Sequence, residues 1–282
     1  MQLGVFAKTF PGTDPDTVLT AAAAAGFEAV HYNMVCSGLA AMPDAIPPEI
    51  PVAIASAAQQ HAVSICGVSG TFNMIHPDPS VRHTGLARLD VIAGSAHAIG
   101  TNLITLCTGT RDPDDQWRGH PDNAGREAWR DLCATMTEAV AIAEAHDVVM
   151  GIEPELANVV SSAASARRLI DELQSDRIRI VIDPANLLDD ATRGEQRRII
   201  SEAIDQLADL IVVAHAKDRA PEGSVTSPGK GVIDFDHYLA ELQRIGFQGP
   251  LVAHGFTARD AENVARFLRG RLGSDRVARL SP

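Results

Sequence analysis

Four short apolar runs each end in a residue able to bind a cation: VVMGIE at Glu153, RIVID at Asp183, LIVVAH at His215 and PLVAH at His254. The intervals between these residues are 30, 32 and 39. Each interval is long enough for one strand, one helix and their connecting loops. In a chain built from such units, the residue at the C-terminal end of every strand looks toward the same end of the sheet. Two carboxylates and two imidazoles on neighbouring strand ends can then converge on one divalent ion. Alone, each residue has a plainer reading. A strand-end carboxylate is often a helix cap, and a buried histidine is often a hydrogen-bonded core residue. Recurrence over four consecutive units is what argues for a shared site.

The rest of the chain continues the pattern. Candidate strands lie near 2–7, 28–32, 63–68, 103–107, 148–153, 178–183, 210–215 and 251–254, with helix-like segments between them. Asp14 before Pro15 reads as a helix start, and Gly26 and Gly246 read as helix ends. Near-continuous apolar strands such as IVID and LIVVA suit a parallel sheet covered on its outer face. The expected fold is α/β, a (β/α)8 TIM barrel forming a single domain over residues 1–282. An open doubly wound sheet is the alternative. No GxGxxG follows a strand, which leaves dinucleotide binding without support.

Composition narrows the function classes. The net charge is −12, and no basic stripe interrupts the acidic surface, which argues against nucleic acid as a partner. No apolar run reaches membrane-spanning length. Cys36, Cys66, Cys107 and Cys133 show no CxxC pairing, so the expectation is a reduced, cytoplasmic protein away from membranes. Assembly into a homo-oligomer stays open. Lys8, Lys217 and Lys230 are the only lysines among 24 Lys and Arg residues, and all three follow predicted strands.

Side chains alternate along a strand. His215 and Lys217 therefore share a face, and Glu153 and Glu155 share one if their strand continues through Pro154. Asn186 follows closely behind Asp183. The loops after the fourth and seventh strands are long. The first, TGTRDPDDQWRGHPDN, carries Trp117 and His120. The second contains SPGKG at 227–231, a candidate phosphate cradle.

GIEPE, VIDPAN, VAHAKD, FNMIHPDPSVR and the segment GKGVIDFDHYLAELQRIGFQGPL resemble the xylose isomerase-like TIM barrel superfamily. That group includes sugar isomerases, ketose 3-epimerases, keto-inositol dehydratases and the family 2 apurinic endonucleases. The chain looks closest to bacterial proteins loosely labelled sugar phosphate isomerase/epimerase, which it also resembles at CTGTRDP and HPDN. By that resemblance Glu153, Asp183 and His215 match metal ligands after strands five, six and seven. Two positions depart from the pattern. His254 stands where the epimerases carry a second glutamate, and Asn186 stands where many members have a histidine. A histidine bound to metal is a poor free base, so the paired-carboxylate scheme of the epimerases does not carry over directly.

The resemblance implies a metal-dependent sugar isomerase or epimerase acting on a ketose or keto-sugar. Chemistry would run through an enediolate made by removing a proton beside the carbonyl. The alternative is a lyase eliminating water or a glycosyl group β to a ketone. An abasic-site endonuclease and a non-catalytic sugar-binding barrel are the remaining readings. The expected ligands are Glu153, Asp183, His215 and His254. Two nitrogens and two carboxylates point to Mn(2+) first, with Co(2+), Fe(2+), Zn(2+) or Mg(2+) as other candidates. Glu153 is the first candidate for the base, with Glu155, His76 and Lys217 as alternatives. Glu155, Asn186, Trp117 and Lys217 are the candidate substrate contacts.

Overall fold

The computed structural model describes residues 1–188 and 193–278. Eight parallel strands close into a barrel: β1 (Gln2–Phe6), β2 (Ala29–Tyr32), β3 (Ser64–Ser69), β4 (Leu103–Cys107), β5 (Val149–Glu153), β6 (Ile178–Ile182), β7 (Ile211–Ala216) and β8 (Pro250–Ala253). Closure comes from β1 pairing with β8, with Gln2 opposite Pro250 and Val5 opposite Ala253. Helices alternate with the strands: α1 (Pro15–Ala24), α2 (Glu49–Gln60), α3 (Pro79–Ile99), α4 (Arg126–Ala145), α5 (Ala163–Leu173), α6 (Gln196–Leu207), α7 (Phe235–Arg244) and α8 (Ala261–Ala278). This is the expected (β/α)8 barrel in one domain; the open-sheet alternative falls with the β1–β8 pairing. Among the described residues, no helix is long and apolar enough to cross a membrane.

Local chemistry explains where the helices begin. Asp14 accepts the Thr17 N–H at 2.9 Å with Pro15 in the first turn, and Asp78 accepts the Ser80 N–H at 2.8 Å ahead of Pro79. On α4 the buried positions Ala128, Leu132, Met136, Ala139 and Ala143 recur at helical spacing and face the strands. One boundary differs from expectation. Sequence patterning ends the last helix near Arg269, but it runs past Gly270 to Ala278, because an interior glycine weakens a helix without ending it.

The barrel interior is layered. Leu103, Val181, Val213 and Val252 form a small apolar cluster. Glycines make room for it: a Cβ on Gly4 would lie 3.2 Å from Val252, and one on Gly151 would lie 2.9 Å from Val181. Two residues further along the same strands stand Phe6, Thr105, Glu153, Asp183, His215 and His254. The pleat repeats every two residues, so this polar layer rests directly on the apolar one.

The loop after β7 is organised by one buried carboxylate. Asp218 accepts the backbone N–H groups of Gly229, Gly231 and Ile233 at 2.9–3.1 Å. Gly231 sits so close that a Cβ would fall 2.1 Å from the Arg219 carbonyl oxygen. The glycine-rich stretch at 227–231 therefore spends its N–H groups on the protein's own aspartate. That corrects the expectation of a phosphate cradle there. Asp218→Ala would leave these buried donors without an acceptor. We expect a loss of about 2–4 kcal/mol in urea unfolding, the range for breaking several charge-assisted hydrogen bonds.

Candidate metal centre

The four strand-end residues meet. One ligand atom from each of Glu153, Asp183, His215 and His254 lies within 4.8 Å of all the others. His215 Nδ1 is 3.1 Å from Glu153 Oε1 and 3.9 Å from Asp183 Oδ2. His254 Nε2 is 3.1 Å from Asp183 Oδ2. Asp183 is fully buried, and so is His215. Metal–ligand bonds of about 2.0–2.2 Å would draw such a set together with small side-chain adjustments. The donor types and spacing fit a divalent ion with mixed oxygen and nitrogen ligation.

A second tier of side chains lies against these ligands. Asn186 donates from Nδ2 to Glu153 Oε1 at 2.8 Å, and its Oδ1 accepts from Lys217 Nζ. Lys217 Nζ is also 3.4 Å from Asp183 Oδ2 and 3.8 Å from Glu155 Oε1. Phe6 covers the imidazoles, with ring centroids 5.3 Å from His215 and 4.9 Å from His254. Asn186 thus stands beside the ligands as a hydrogen-bonding bridge to Lys217.

Burial and charge push the titrations in different directions. Burial raises the Asp183 carboxyl, but Lys217, His254 and His215 outweigh it and hold the group well below its usual range. Glu153 is lowered too: burial opposes ionisation, and His215 and Lys217 overcome it. Burial lowers His215, but the Glu153 carboxylate more than compensates and raises it. His254 goes the other way, lowered mainly by burial and by His215 despite its bond to Asp183. Glu155 is pushed up to about 7, first by burial and then by the Glu153 charge.

The cluster opens into a cavity of about 630 Å³ that Glu153, Glu155 and His254 help to line. Trp117, half exposed, and Gln116 border it from the loop after β4. That loop is pinned in place: Asn158 Oδ1 accepts the Gly109 N–H at 2.7 Å, and Asn123 Oδ1 accepts the Arg111 N–H at 2.7 Å.

Not every candidate converges. His76 lines a separate cavity, with Nε2 3.0 Å from the Pro113 carbonyl and Nδ1 accepting the Asp78 N–H at 3.1 Å. Both ring nitrogens are thus committed to backbone, one in the loop after β4 and one at the start of α3, which removes it from the set of bases. Lys230 pairs with Asp260 at 2.7 Å instead of serving the cavity, while Lys8 does line it. Sequence reasoning missed Phe6, His31, Thr105 and Cys107. His31 is buried beneath the site, 2.9 Å from the Thr105 hydroxyl. Phe6 and Cys107 end β1 and β4, where the strand-end rule reaches them; His31 and Thr105 lie inside β2 and β4, where it does not.

The family model for the xylose isomerase-like TIM barrel matches residues 19–271. The chain belongs to that family. No curated protein matches it significantly in sequence. Solved structures share its fold. The 3-keto-D-glucoside 4-epimerase of E. coli is 16% identical, with 96% of this chain and 99% of that one covered and a TM-score of 0.77. An L-ribulose 3-epimerase is 15% identical, covers 100% and 99%, and has a TM-score of 0.78. The D-psicose 3-epimerase of Clostridium cellulolyticum H10 is 16% identical, covers 96% and 99%, and has a TM-score of 0.73.

Two measurements follow from the charge arrangement. Asp183→Ala should abolish stoichiometric divalent-metal content by elemental analysis; unchanged content would reject the four-ligand site. In metal-free protein, the Glu155 proton is held more tightly when folded than unfolded. Its stabilising contribution is full below the ordinary value of 4.5 and disappears as pH rises through about 7. Thermal stability of the metal-free protein should therefore fall across that window, and Glu155→Gln should flatten the slope.

Proposed function

We propose that the chain is a divalent-metal-dependent isomerase or epimerase of a ketose or keto-sugar. The observation that carries this is the convergence of Glu153, Asp183, His215 and His254 at the base of a cavity that also holds an acid of raised pKa. The epimerases that share the fold act on sugars by name and support the substrate class. A divalent ion bound by these four residues would supply Lewis-acid stabilisation of negative charge on a sugar carbonyl oxygen.

The residues divide the remaining work. Glu153 and Asp183 are both held as carboxylates by cations, which suits ligands and weakens them as bases. Glu155 lies two residues further along, lines the cavity and, with no ion bound, is pushed up to about 7, near the pH at which proton transfer is most effective. We assign it the removal of the proton beside the carbonyl and its return to the neighbouring atom. This assignment replaces Glu153 as first choice. Lys217, kept charged by Asp183 and Glu155 although burial opposes it, orients Glu155 and offers a donor to a substrate oxygen. Asn186 keeps Lys217 and Glu153 in register. Trp117 at the rim presents an aromatic face to the sugar.

One observation favours the lyase as a second reading. The acidic residues lining the cavity, Glu153 and Glu155, both come from the end of β5, and the strand across the barrel from it, β1, ends in Phe6. Epimerisation needs a proton delivered to the opposite face of the carbon. Elimination needs only one proton removed and one given to the departing oxygen, which a single wall can do.

Incubation of metal-loaded protein with keto-sugars in D₂O should exchange the carbon-bound proton next to the carbonyl, read by NMR. Absence of exchange across a broad panel would reject both catalytic readings. Products of unchanged mass mark isomerisation or epimerisation, and loss of water or of an aglycone marks the lyase. Glu155→Gln should lower kcat by about 10²–10⁴-fold while leaving metal content intact.

A further inference from the structure

A second cavity, of about 520 Å³, adjoins the first. Thr71 and Gln116 line both, so the two meet at these residues. Each alone falls in the range of about 300–1,000 Å³ typical of small-molecule sites. The first suffices for one sugar at the ligand cluster, and the second is additional space.

The second cavity is built as a groove. One wall is the first half of α3, carrying Thr84 and Arg88; the other is the loop after β4, from Asp112 to Gln116. Phe72 lines it between them. Its ring lies flat against Gly85, where a Cβ would come within 2.1 Å. Only a residue without a side chain lets the aromatic ring settle there. Among the described residues, the Gln116 amide and the Asp114 carboxylate have no internal hydrogen-bond or ion-pair partner, and Arg88 binds Asp44 through Nε alone. Free donors and acceptors in a groove floored by the buried Phe72 match a sugar ring, which offers hydroxyls around its edge. The exposed Trp117 stands next to Gln116 at the junction.

We infer that the natural substrate is a keto-glycoside, with the keto-sugar at the ligand cluster and a second sugar ring in the groove between α3 and the β4 loop. Gln116 spans the glycosidic junction and is the residue that selects for the longer substrate. This inference rests on the keto-sugar reading of the site. Metal-loaded protein titrated calorimetrically with 3-keto-glucose and 3-keto-cellobiose tests it. The disaccharide should bind about tenfold more tightly or better, as one or two added hydrogen bonds would give. The ratio of the two affinities should fall toward one in Thr84→Trp, which fills the groove from an exposed helix position, and in Gln116→Ala. A ratio near one in the unaltered protein, or one that survives both substitutions, overturns the second subsite while leaving the keto-sugar reading in place. Binding of neither sugar by metal-loaded protein overturns that reading and the subsite with it.

Discussion

Two carboxylates buried side by side repel each other and lose their hydration, so positive charge must be held against them. Glu153 and Asp183 are in that position, and most of the site's arrangement answers to it. Lys217 reaches Asp183 and Glu155, Asn186 ties Lys217 to Glu153, and His215 bridges the two acids. Charge balance also explains why His215 and His254 behave oppositely. The Glu153 carboxylate favours a proton on His215, whereas burial and His215 itself disfavour one on His254. A divalent ion would take over the role of that proton, so its binding competes with protonation of His215.

The polar cluster is affordable because of what lies beneath it. The apolar layer of Leu103, Val181, Val213 and Val252 seals the barrel below, and Phe6 lies against the imidazoles. Water is thereby kept to the mouth, and interactions among the charged groups act through a medium less polarisable than bulk solvent. The same environment raises Glu155. Two glutamates two residues apart, on one strand end, thus acquire different protonation behaviour from their surroundings alone.

Much of this was legible in the amino-acid order, for a physical reason. Parallel barrel strands are buried on both faces, so each reads as an apolar run, and a polar residue at its end stands out. That made Glu153, Asp183, His215 and His254 visible, and Lys217 followed from the two-residue pleat. What could not be read were contacts made by irregular backbone. SPGKG looked like an anion cradle because glycine-rich segments expose N–H groups, but Asp218, adjacent to Lys217, had already claimed them. His76 looked available until the turn before α3 brought Asp78, and the loop after β4 brought Pro113, to its ring. The groove against α3 depends on Phe72 meeting Gly85, a contact between residues that no periodic pattern relates.

The pairing of β1 with β8 joins the two ends of the chain's order. Gln2–Phe6 is made before the other seven strands, yet its hydrogen-bond partner lies almost 250 residues downstream. That partner strand leads into His254. Until it emerges, the nascent chain has an unsealed sheet edge and three of the four candidate ligands. Sealing the cylinder and completing the candidate metal site are thus a single event that waits for β8.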